Sequence, residues 1–549
     1  MNTPFLSRSM YLFLFSLLGL VYFIGLFVPL MDNDSAHHAG IALRMHLAGD
    51  YVTLVDQKGN YLDKPHLHFW LSAISYSIFG VTSFAYKFPS FLFIILGIYS
   101  TYRLGKKLYN AETGKLAALL IASSFAYILA GNDVRMDAIL TASIAFAIWQ
   151  LVEFIQDKKI INVAGAALAL ALGFSTKGQI GAFVPAVAAL FYILYRNDWK
   201  FFLNWKWFLL IILFSLLISP VVYCFYLQYN LHPEIMARGK TNINGVRFIL
   251  LQQTVERYTG GVEIASKNDY FFFLHSFLWA FAPWSIVSFI AIASSIKNFW
   301  ARKQEWLTAG VFITVLLIVS FSGFKLPHYL NIVFPSTAVL TAAFIISRQQ
   351  QPGWIKKILI IQSILVGTIL LLSTIINAWA FPVKNGWVIA GVVLLLSVVF
   401  YFIKSKAYHS LQKAVLVPAA SMVFLFFLLN SNFYPKLLTY QGGNELAFAT
   451  KGKLNPADVY FWKGNYSSSF NFYAAALRKP FMDSVLQPDK KTWLLFEISY
   501  EDEIKQAGYK LIPQYSVPDY EITRLDIKFM NPAKREKECT KMVLAEITR

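Results

Sequence analysis

Residues 11–51 read YLFLFSLLGLVYFIGLFVPL and then MDNDSAHHAGIALRMHLAGDY, and this stretch decides the fold. Its first twenty residues carry no charge, and roughly 20 apolar residues suffice for a helix to cross the hydrocarbon core of a membrane. The residues that follow bring acids and histidines to the point where the chain leaves the lipid. We therefore predict an uncleaved membrane-spanning helix, followed by a reaction centre at the membrane surface.

Composition extends this prediction to most of the chain. The 549 residues are 57% hydrophobic and only 14% charged, whereas a soluble globular protein carries about 25% charged residues. We predict a polytopic α-helical membrane protein with 13 transmembrane helices. They are placed near residues 10–30, 86–104, 115–131, 138–155, 160–175, 179–195, 207–227, 272–294, 306–322, 329–347, 357–378, 386–403 and 414–430.

The net charge of +19 is better explained by membrane topology than by nucleic-acid binding. Basic residues concentrate in alternate short loops, such as those containing Lys106–Lys107 and Lys158–Lys159, while the opposite loops carry about one each. Because short cytoplasmic loops are enriched in Lys and Arg, we expect a cytoplasmic N-terminus. Residues 31–85 and 431–549 are then extracytoplasmic.

The same topology divides the chain into regions. Residues 1–430 are predicted to form a transmembrane catalytic domain, with one long outer loop at 31–85 and a second at 228–271. The first loop contains two amphipathic stretches that are too short or too polar to span, and these predict helices lying in the interface. Residues 431–549 have ordinary polarity and apolar runs such as TWLLFEI, which predict a soluble mixed α/β domain.

Two carboxylates are the first candidates for chemistry. Asp34 lies just before an interfacial helix, whose N-terminus favours an anion, and Asp137 opens the apolar run AILTASIAFAI at the outer mouth of a later helical hairpin. The alternative for Asp34 is an ordinary solvated helix flank. The alternative for Asp137 is a helix N-cap, which would also fix the direction of its carboxylate.

Several cations stand on the same outer side. Lys64 precedes Pro65, Lys177 lies in STKGQ between two spans, Lys325 lies in GFKLPHY, and Arg257 lies in the second outer loop. A charge at the mouth of a membrane helix is a functional hypothesis by default, although a lysine near headgroups can also simply snorkel. Cations beside carboxylates suit transfer from a phosphate-linked donor, since cations stabilise the departing phosphate while a carboxylate orients or deprotonates the acceptor.

Histidines cluster in the first outer loop, and His37 and His38 together with Asp63 are candidates for a divalent metal site. Their spacing matches no strong metal motif, and interfacial histidines meeting headgroups are the alternative. No Walker A loop and no Rossmann glycine fingerprint occurs in the sequence, so no nucleotide cofactor is predicted.

At these residues the chain resembles the GT-C glycosyltransferases, above all the bacterial aminoarabinose (lipid A) transferase and protein O-mannosyltransferase-like families. The resemblance runs in order over roughly residues 10–345. It is carried by Asp34 with Gly49-Asp50-Tyr51, Lys64-Pro65 with His68-Phe69-Trp70, Thr176-Lys177-Gly178, Arg257-Tyr258-Thr259-Gly260 with Pro283-Trp284, and Lys325-Leu326-Pro327 with Tyr329.

The resemblance implies inverting transfer of a sugar from a polyprenyl-phosphate donor to an acceptor outside the cytoplasmic membrane. It gives Asp34 the role of principal catalytic carboxylate and Asp137 that of the second acidic site. Lys64 and Tyr329 take roles at the lipid phosphate, with Lys177 in the same cavity. The acceptor could be lipid A, another glycan or a protein.

Some departures from the family pattern leave the substrates open. The usual Asp-Glu pair is Asp34-Ser35 here, an arginine three positions after the aspartate is His37, and the usual Lys-Pro-Pro is Lys64-Pro65-His66. Two other classes of function stay as alternatives from the sequence: a membrane transporter or lipid flippase, and a receptor with residues 431–549 as its binding module.

Overall fold

The computed structural model describes residues 4–549 except 33, 254–255, 257–268, 302–303, 465 and 487–490. The first part of the chain forms helices α1 (Arg8–Gly25), α2 (Asp34–Ala48), α3 (Leu67–Phe79), α4 (Ser83–Leu108), α5 (Ala111–Ala122), α6 (Phe125–Asn132), α7 (Asp137–Asp157), α8 (Ile160–Lys177), α9 (Ile180–Arg196) and α10 (Lys206–Phe225). Longer helices follow at Phe272–Ala280, Ser285–Lys297, Leu307–Ser320, Phe334–Ser347, Pro352–Thr374, Gly386–Lys404, Ser410–Leu428 and Gly442–Thr450.

Shorter helical turns complete these elements. A 3₁₀ helix, Pro327–Val333, leads into Phe334–Ser347, and others lie at Trp199–Leu203, Leu438–Tyr440, Pro456–Asp458, Asp483–Val485, Ile498–Tyr500, Ile522–Arg524 and Arg535–Glu538. Turns of π-helix lie at Tyr226–Asn230, Phe248–Gln252, Ile375–Ala380 and Leu429–Phe433. Short α-helices lie at Gly245–Arg247, Tyr434–Leu437, Ser468–Tyr473, Glu501–Gln506 and Ile527–Met530.

The predicted multi-pass helical architecture is confirmed, but the count of 13 spans is not. In the described part of the chain, nine helices are long and apolar enough to cross a membrane, or ten when the pair α5–α6, bent by 55°, counts as one. The other predicted spans coincide with shorter apolar helices, namely Ile180–Arg196, Ser285–Lys297 and Leu307–Ser320. Their sequences are apolar throughout, which is why pattern alone could not separate them from full spans.

Burial separates the inner helices from the lipid-facing ones. Helix α7 is buried along almost its whole length, whereas α10 and the helices Pro352–Thr374 and Gly386–Lys404 are strongly apolar and yet largely exposed in the isolated chain. A helix that is apolar all round and uncovered by protein is a membrane span in contact with lipid. The core therefore lies around α7, and the site is built at one end of it.

Residues 31–85, the predicted first outer loop, contain two helices and a hairpin; their position at a membrane surface stays a prediction. The two amphipathic stretches of this loop form α2 and α3, which pack on each other through buried side chains including Met45, Phe69 and Tyr76. Between them lies a two-stranded hairpin, β1 (Val55–Asp56) with β2 (Gly59–Asn60). The loop is thus a small folded layer rather than an extended connection.

The C-terminal region contains a five-stranded mixed sheet, in the order β4-β3-β5-β7-β6. The strands are β3 (Val459–Phe461), β4 (Lys479–Pro480), β5 (Thr492–Glu497), β6 (Lys510–Asp519) and β7 (Thr540–Thr548), with β3 parallel to both β4 and β5 and the remaining pairs antiparallel. The predicted mixed α/β character of this region is confirmed.

Alternation along β5 explains why the sheet is covered on both faces. Because successive side chains of a strand point to opposite faces, Trp493 and Leu495 lie on the face covered by Gly442–Thr450. Leu494 and Phe496 lie on the face covered by Glu501–Gln506. The helical run before this region continues from Ser410 to Tyr440, past the predicted boundary at residue 430. The division into two domains stays a prediction.

The C-terminal region touches the chain where it leaves the first span. The backbone N–H of Leu30 donates to Tyr473 Oη at 2.7 Å, and Asp32 Oδ2 accepts hydrogen bonds from Ser467 Oγ and Ser469 Oγ, each at 2.9 Å. The backbone N–H of Asp32 also donates to Gln441 Oε1 at 2.6 Å. These bonds fix the segment that leads directly into α2 and Asp34.

Candidate active site

A buried ion pair forms the floor of the candidate site. Asp137 is the first residue of α7 and Lys177 is the last residue of α8, and because the two helices form a hairpin these ends meet. Lys177 Nζ lies 2.7 Å from Asp137 Oδ1, and the side chains are only 7% and 5% exposed. An anion at a helix N-terminus and a cation at a C-terminus also suit the helix dipoles.

Asp137 is not the N-cap of α7. The N-cap position of α7 is occupied by Met136, which forms no side-chain capping bond. Asp137 is instead one residue inside the helix, and its carboxylate bonds to an ammonium group. A buried ammonium without a partner is costly, so the pair with Lys177 is the main role that the fold gives this carboxylate.

Arg135 connects Asp34 to the rest of the site. Its Nη1 lies 3.1 Å from Asp34 Oδ2, and its Nε and Nη2 donate to Asp133 Oδ2 at 3.1 and 2.9 Å. The Asp34 side chain is 49% exposed, so one carboxylate oxygen is held while the group stays accessible to a substrate. Arg135 therefore orients the predicted catalytic carboxylate.

His328 links the two carboxylates. It lies on the 3₁₀ helix Pro327–Val333, and its Nδ1 accepts from Arg135 Nη1 at 3.3 Å. Its Nε2 lies 3.7 Å from Asp137 Oδ2. Since Nδ1 accepts a hydrogen bond, the proton of a neutral imidazole lies on Nε2, facing Asp137. Asp34, Arg135, His328, Asp137 and Lys177 thus form a continuous polar chain.

Beside this chain lies an apolar cavity of about 510 Å³. Lys177 and Tyr329 line it, and Lys177 Nζ lies 4.7 Å from the centroid of the Tyr329 ring. The rest of the wall is mainly apolar side chains from α9 and from Leu307–Ser320, including Ile180, Phe183 and Ile318. The cavity therefore combines an apolar wall with an edge that carries a cation and a hydroxyl group.

The other predicted cations that the structure describes, Lys64 and Lys325, lie in different settings. Lys64 is half-buried just before α3, while Lys325 is buried with its ammonium 5.5 Å from the centroid of the Tyr270 ring. Burial, together with nearby positive charges that include Lys64 and Arg135, holds the pKa of His38 well below its usual range. Arg257 lies outside the described residues.

The predicted metal ligands are not brought together. Asp63 forms an ion pair with Arg238, His37 Nε2 lies 3.2 Å from Asp56 Oδ2, and His38 is buried against aromatic rings. Across the described residues, no group of three or more His, Cys, Asp or Glu side chains is arranged to hold a metal ion. Asp63, His37 and His38 therefore form no shared metal site in the described part of the chain, and a divalent metal stays a prediction.

Arg135 and His328 are the site residues that sequence reasoning missed. Arg135 lies two positions before Asp137 at the same mouth, and His328 directly precedes Tyr329, so both lay inside stretches already singled out. Their partners are 101 and 193 residues distant in the chain. Such contacts depend on how the helices pack, which the local pattern does not reveal.

Comparison with known proteins supports the predicted resemblance. Residues 63–224 match a family described as dolichyl-phosphate-mannose-protein mannosyltransferase. An uncharacterized protein of Aquifex aeolicus is 25% identical over 463 residues, which cover 82% of this chain and 84% of that one. An undecaprenyl phosphate-alpha-4-amino-4-deoxy-L-arabinose arabinosyl transferase of Proteus mirabilis is 23% identical over 320 residues, covering 57% of this chain.

The structural comparison covers almost the whole chain. The crystal structure of ArnT from Cupriavidus metallidurans bound to undecaprenyl phosphate matches with a TM-score of 0.74 at 17% identity, covering 98% of both chains. In sequence, this chain spans little more than half the length of the arabinosyl transferase of Proteus mirabilis, at 55%. The GT-C type of fold and the resemblance to aminoarabinose transferases are confirmed.

Proposed function

We propose that this GT-C chain is an inverting glycosyltransferase that moves a sugar from a polyprenyl-phosphate donor to an extracytoplasmic acceptor. One observation carries the proposal: an apolar cavity of about 510 Å³ is lined at its polar edge by Lys177 and Tyr329, and Lys177 is tied to Asp137. An isoprenoid chain suits the apolar wall, and its phosphate suits the cationic edge.

In the proposed reaction, Asp34 acts as the general base. It removes the proton from an acceptor hydroxyl, and the acceptor oxygen attacks the anomeric carbon of the sugar. The bond between that carbon and the phosphate oxygen breaks, and the electron pair leaves with the polyprenyl phosphate. Attack from the face opposite to the leaving phosphate inverts the anomeric configuration. Arg135, 3.1 Å from Asp34, keeps the base aimed at the acceptor.

The cations act on the leaving phosphate in this proposal. Lys177 is held in place by Asp137, and Tyr329 stands beside it. Lys64 and Lys325 are assigned the same role, and Arg257, which lies outside the described residues, is assigned it from the sequence alone. Preorganised cations stabilise charge that develops in the transition state without having to reorganise. Asp137 is then the second acidic residue of the site, acting by positioning Lys177 rather than by taking a proton.

The relatives and the orientation support the choice of substrates and location. The name of the Proteus mirabilis relative specifies an undecaprenyl-phosphate donor, so we assign an undecaprenyl-phosphate sugar here. Lipid A, another glycan or a protein is the acceptor class. We place the chain in the inner membrane, with the N-terminus cytoplasmic and the C-terminal sheet periplasmic, because basic residues such as Lys107 and Lys158 flank the ends of α4 and α7 away from Asp137.

The direct test uses the purified full-length protein in detergent. It is incubated with undecaprenyl-phosphate-linked 4-amino-4-deoxy-L-arabinose and a cell-envelope lipid extract, and release of undecaprenyl phosphate is measured. We expect release with the wild type and a loss of about 10³-fold for Asp34→Asn, within the range of general-base contributions. Asp157→Asn, at the opposite end of α7 where it pairs with Lys107, is the matched control.

Three results would each correct a different part of the proposal. Full turnover by a folded Asp34→Asn variant would show that Asp34 is not the base. Transfer from a different undecaprenyl-phosphate sugar would keep the reaction and correct the sugar. Movement of lipid across proteoliposomes without any release of undecaprenyl phosphate would replace the enzyme by a transporter or flippase.

A further inference from the structure

A second cavity lies along α2, between the predicted outer loop and the C-terminal sheet. His37, Gly40, Ile41 and Arg44 are spaced so that they share one face of α2, and all four line a cavity of about 210 Å³. Its opposite wall includes residues 477–480, at the sheet edge formed by β4. We call this cavity the α2–sheet pocket.

The charges of the α2–sheet pocket do not balance. Among the described residues that line it, Arg44, Arg478 and Lys479 contribute three cations, and Asp56 is the one carboxylate. The Asp56 carboxylate is already engaged, since Oδ2 lies 3.2 Å from His37 Nε2 and Oδ1 accepts the backbone N–H of Lys58 at 2.7 Å. An excess of positive charge is left facing the pocket.

Arg478 is the most informative of these cations. It is 7% exposed, its Nη1 donates to the Ala476 carbonyl at 3.0 Å, and its guanidinium lies 4.7 Å from the centroid of the Phe470 ring. Its Nε and Nη2 atoms are buried and have no hydrogen-bond partner among the described residues. Burial lowers the pKa of Arg478 to about 10, so the group is still cationic at neutral pH.

A buried guanidinium with two unused donors is costly unless something completes it. Its fork of N–H groups matches the oxygens of a phosphate, and bidentate pairs of this kind are among the strongest polar contacts in proteins. Lys479 is adjacent in sequence and Arg44 faces the pocket from α2. The three cations thus surround a space suited to one oxyanion.

We infer that the α2–sheet pocket binds a phosphate group carried by the lipid acceptor. The inference rests on the proposed function, because His37 of the pocket follows Asp34 by three residues and therefore lies on the same side of α2 as the proposed base. A phosphate held there would bring an acceptor hydroxyl towards Asp34. A lipid is favoured over a protein because α2 begins only nine residues after α1 ends, which keeps the pocket near the headgroups.

The test measures binding in the absence of donor. Full-length protein in phosphatidylcholine nanodiscs is titrated with a phosphorylated glucosamine-disaccharide lipid and with the same lipid after phosphatase treatment. We expect the wild type to prefer the phosphorylated lipid at least tenfold, and Arg478→Gln to abolish that preference. Lys463→Gln is the matched control, since Lys463 is exposed in the same region, pairs with Glu503, and lies outside the pocket lining.

A steric variant tests the same site without touching its charges. A Cβ added at Gly40 would meet nothing within 4 Å, so Gly40→Leu extends into the pocket, while Gly40→Ala is its control. We expect Gly40→Leu to weaken binding of the phosphorylated lipid about tenfold and Gly40→Ala to leave it unchanged. If Arg478→Gln lowers the thermal unfolding temperature too far, Gly40→Leu and the double variant Arg44→Gln/Lys479→Gln decide the question.

Three results would overturn the inference. One is equal affinity of the wild type for the phosphorylated and dephosphorylated lipids. Another is wild-type binding by folded Arg478→Gln or Gly40→Leu. The third is that an Asp/Glu-rich peptide binds to the wild type but not to Arg478→Gln, while the phosphorylated lipid does not bind at all. That result would make the partner a protein. Displacement of the lipid by millimolar inorganic phosphate supports an oxyanion site, and lipid binding that free phosphate cannot displace shows that the lipid is the specific source.

Failure of this inference is distinguishable from failure of the proposed function. A protein that releases undecaprenyl phosphate but binds the acceptor lipid without any dependence on Arg478 has the proposed activity and lacks the phosphate site. A protein that binds phosphorylated lipid through Arg478 but never releases undecaprenyl phosphate has the site and lacks the activity.

Discussion

Two charged regions adjoin α2, and they differ in how their charges are satisfied. At the mouth of α7, Asp34 and Asp133 pair with Arg135, and Asp137 pairs with Lys177. In the α2–sheet pocket, three cations face one carboxylate, and Arg478 keeps two buried donors without a partner. The charged groups of the first region pair with one another, whereas the second has cationic donors that no described side chain satisfies.

The difference indicates that one region acts on the reacting bond and the other recognises a charged ligand. Groups that act on a reacting bond gain from being fixed before the substrate arrives, and mutual pairing fixes them. Groups that recognise a charged ligand gain from keeping donors unused until the ligand supplies the acceptors. We therefore expect substitutions at the mouth of α7 to change turnover, and substitutions in the pocket to change acceptor binding.

The largest effect should come from breaking the buried pair at the mouth of α7. Asp137→Asn leaves Lys177 charged and buried, which should cost about 3 kcal/mol of unfolding free energy and reduce turnover by about 10³-fold through loss of the ordered cation. The double variant Asp137→Asn/Lys177→Met removes both charges, so it should recover most of the stability and none of the activity. Thermal unfolding and release of undecaprenyl phosphate measure the two effects.

The control for this variant lies on the same helix. Asp157→Asn removes a partly exposed pair with Lys107, and such pairs contribute about 1 kcal/mol or less. If Asp137→Asn is as stable as Asp157→Asn, the charge at Lys177 is not held by Asp137. If the double variant regains activity along with stability, the pair serves the fold alone and the comparison between the regions fails.

Much of this architecture could be predicted from the sequence because it depends on local pattern. Apolar runs predict the spans, amphipathic stretches predict α2 and α3, and TWLLFEI predicts a buried strand. Pattern could not tell short apolar helices such as Leu307–Ser320 from complete spans, because length in the folded chain depends on where each helix ends. The candidate residues Asp34, Asp137 and Lys177 also stood out, as charges at helix mouths.

The connections between those residues could not be predicted. Arg135 reads locally as a loop cation, and only packing brings it to Asp34 and His328. Arg478 reads as one more basic residue in a soluble region, and its meaning appears only when burial leaves its donors without partners. Pairing and its absence are properties of the tertiary structure, so the contrast between the two regions is invisible in the sequence.

A smaller effect should follow from removing the half-buried cation Lys64. Lys64→Ala should slow release of undecaprenyl phosphate by about 100-fold, as expected for the loss of one preorganised electrostatic contact. Its affinity for the phosphorylated acceptor lipid should match that of the wild type. Lys58→Ala, an exposed lysine in the hairpin of the same loop, is the control.

The result tests whether Lys64 acts on the donor phosphate or on acceptor binding. A rate close to that of Lys58→Ala would remove Lys64 from the donor phosphate site. A loss of acceptor affinity with an unchanged rate at saturating acceptor would instead assign Lys64 to acceptor binding, and the two regions would then share their cations.

The smallest effect concerns Asp32, which joins the two regions. Its carboxylate accepts from Ser467 and Ser469, at the start of the segment that borders the pocket, while Asp34 follows two residues later. Burial raises the pKa of Asp32 above its usual value, and the serine hydrogen bonds only partly oppose this. The folded state therefore holds this proton more tightly than the unfolded state does.

The sign of the pH effect follows from this raised pKa. As pH rises from the ordinary aspartate pKa of about 3.9 through the higher folded-state value, the unfolded chain loses the proton first and the folded state loses stability relative to it. Asp32→Asn cannot titrate, so the unfolding temperature of the wild type should fall relative to that of the variant across this window and then stay level. Asp502→Asn, on an exposed helix of the same region, should follow the wild type. An unchanging difference between the wild type and Asp32→Asn would show that Asp32 stays ionised in the contact, and the two regions would then be joined by a permanent charge instead of a protonatable one.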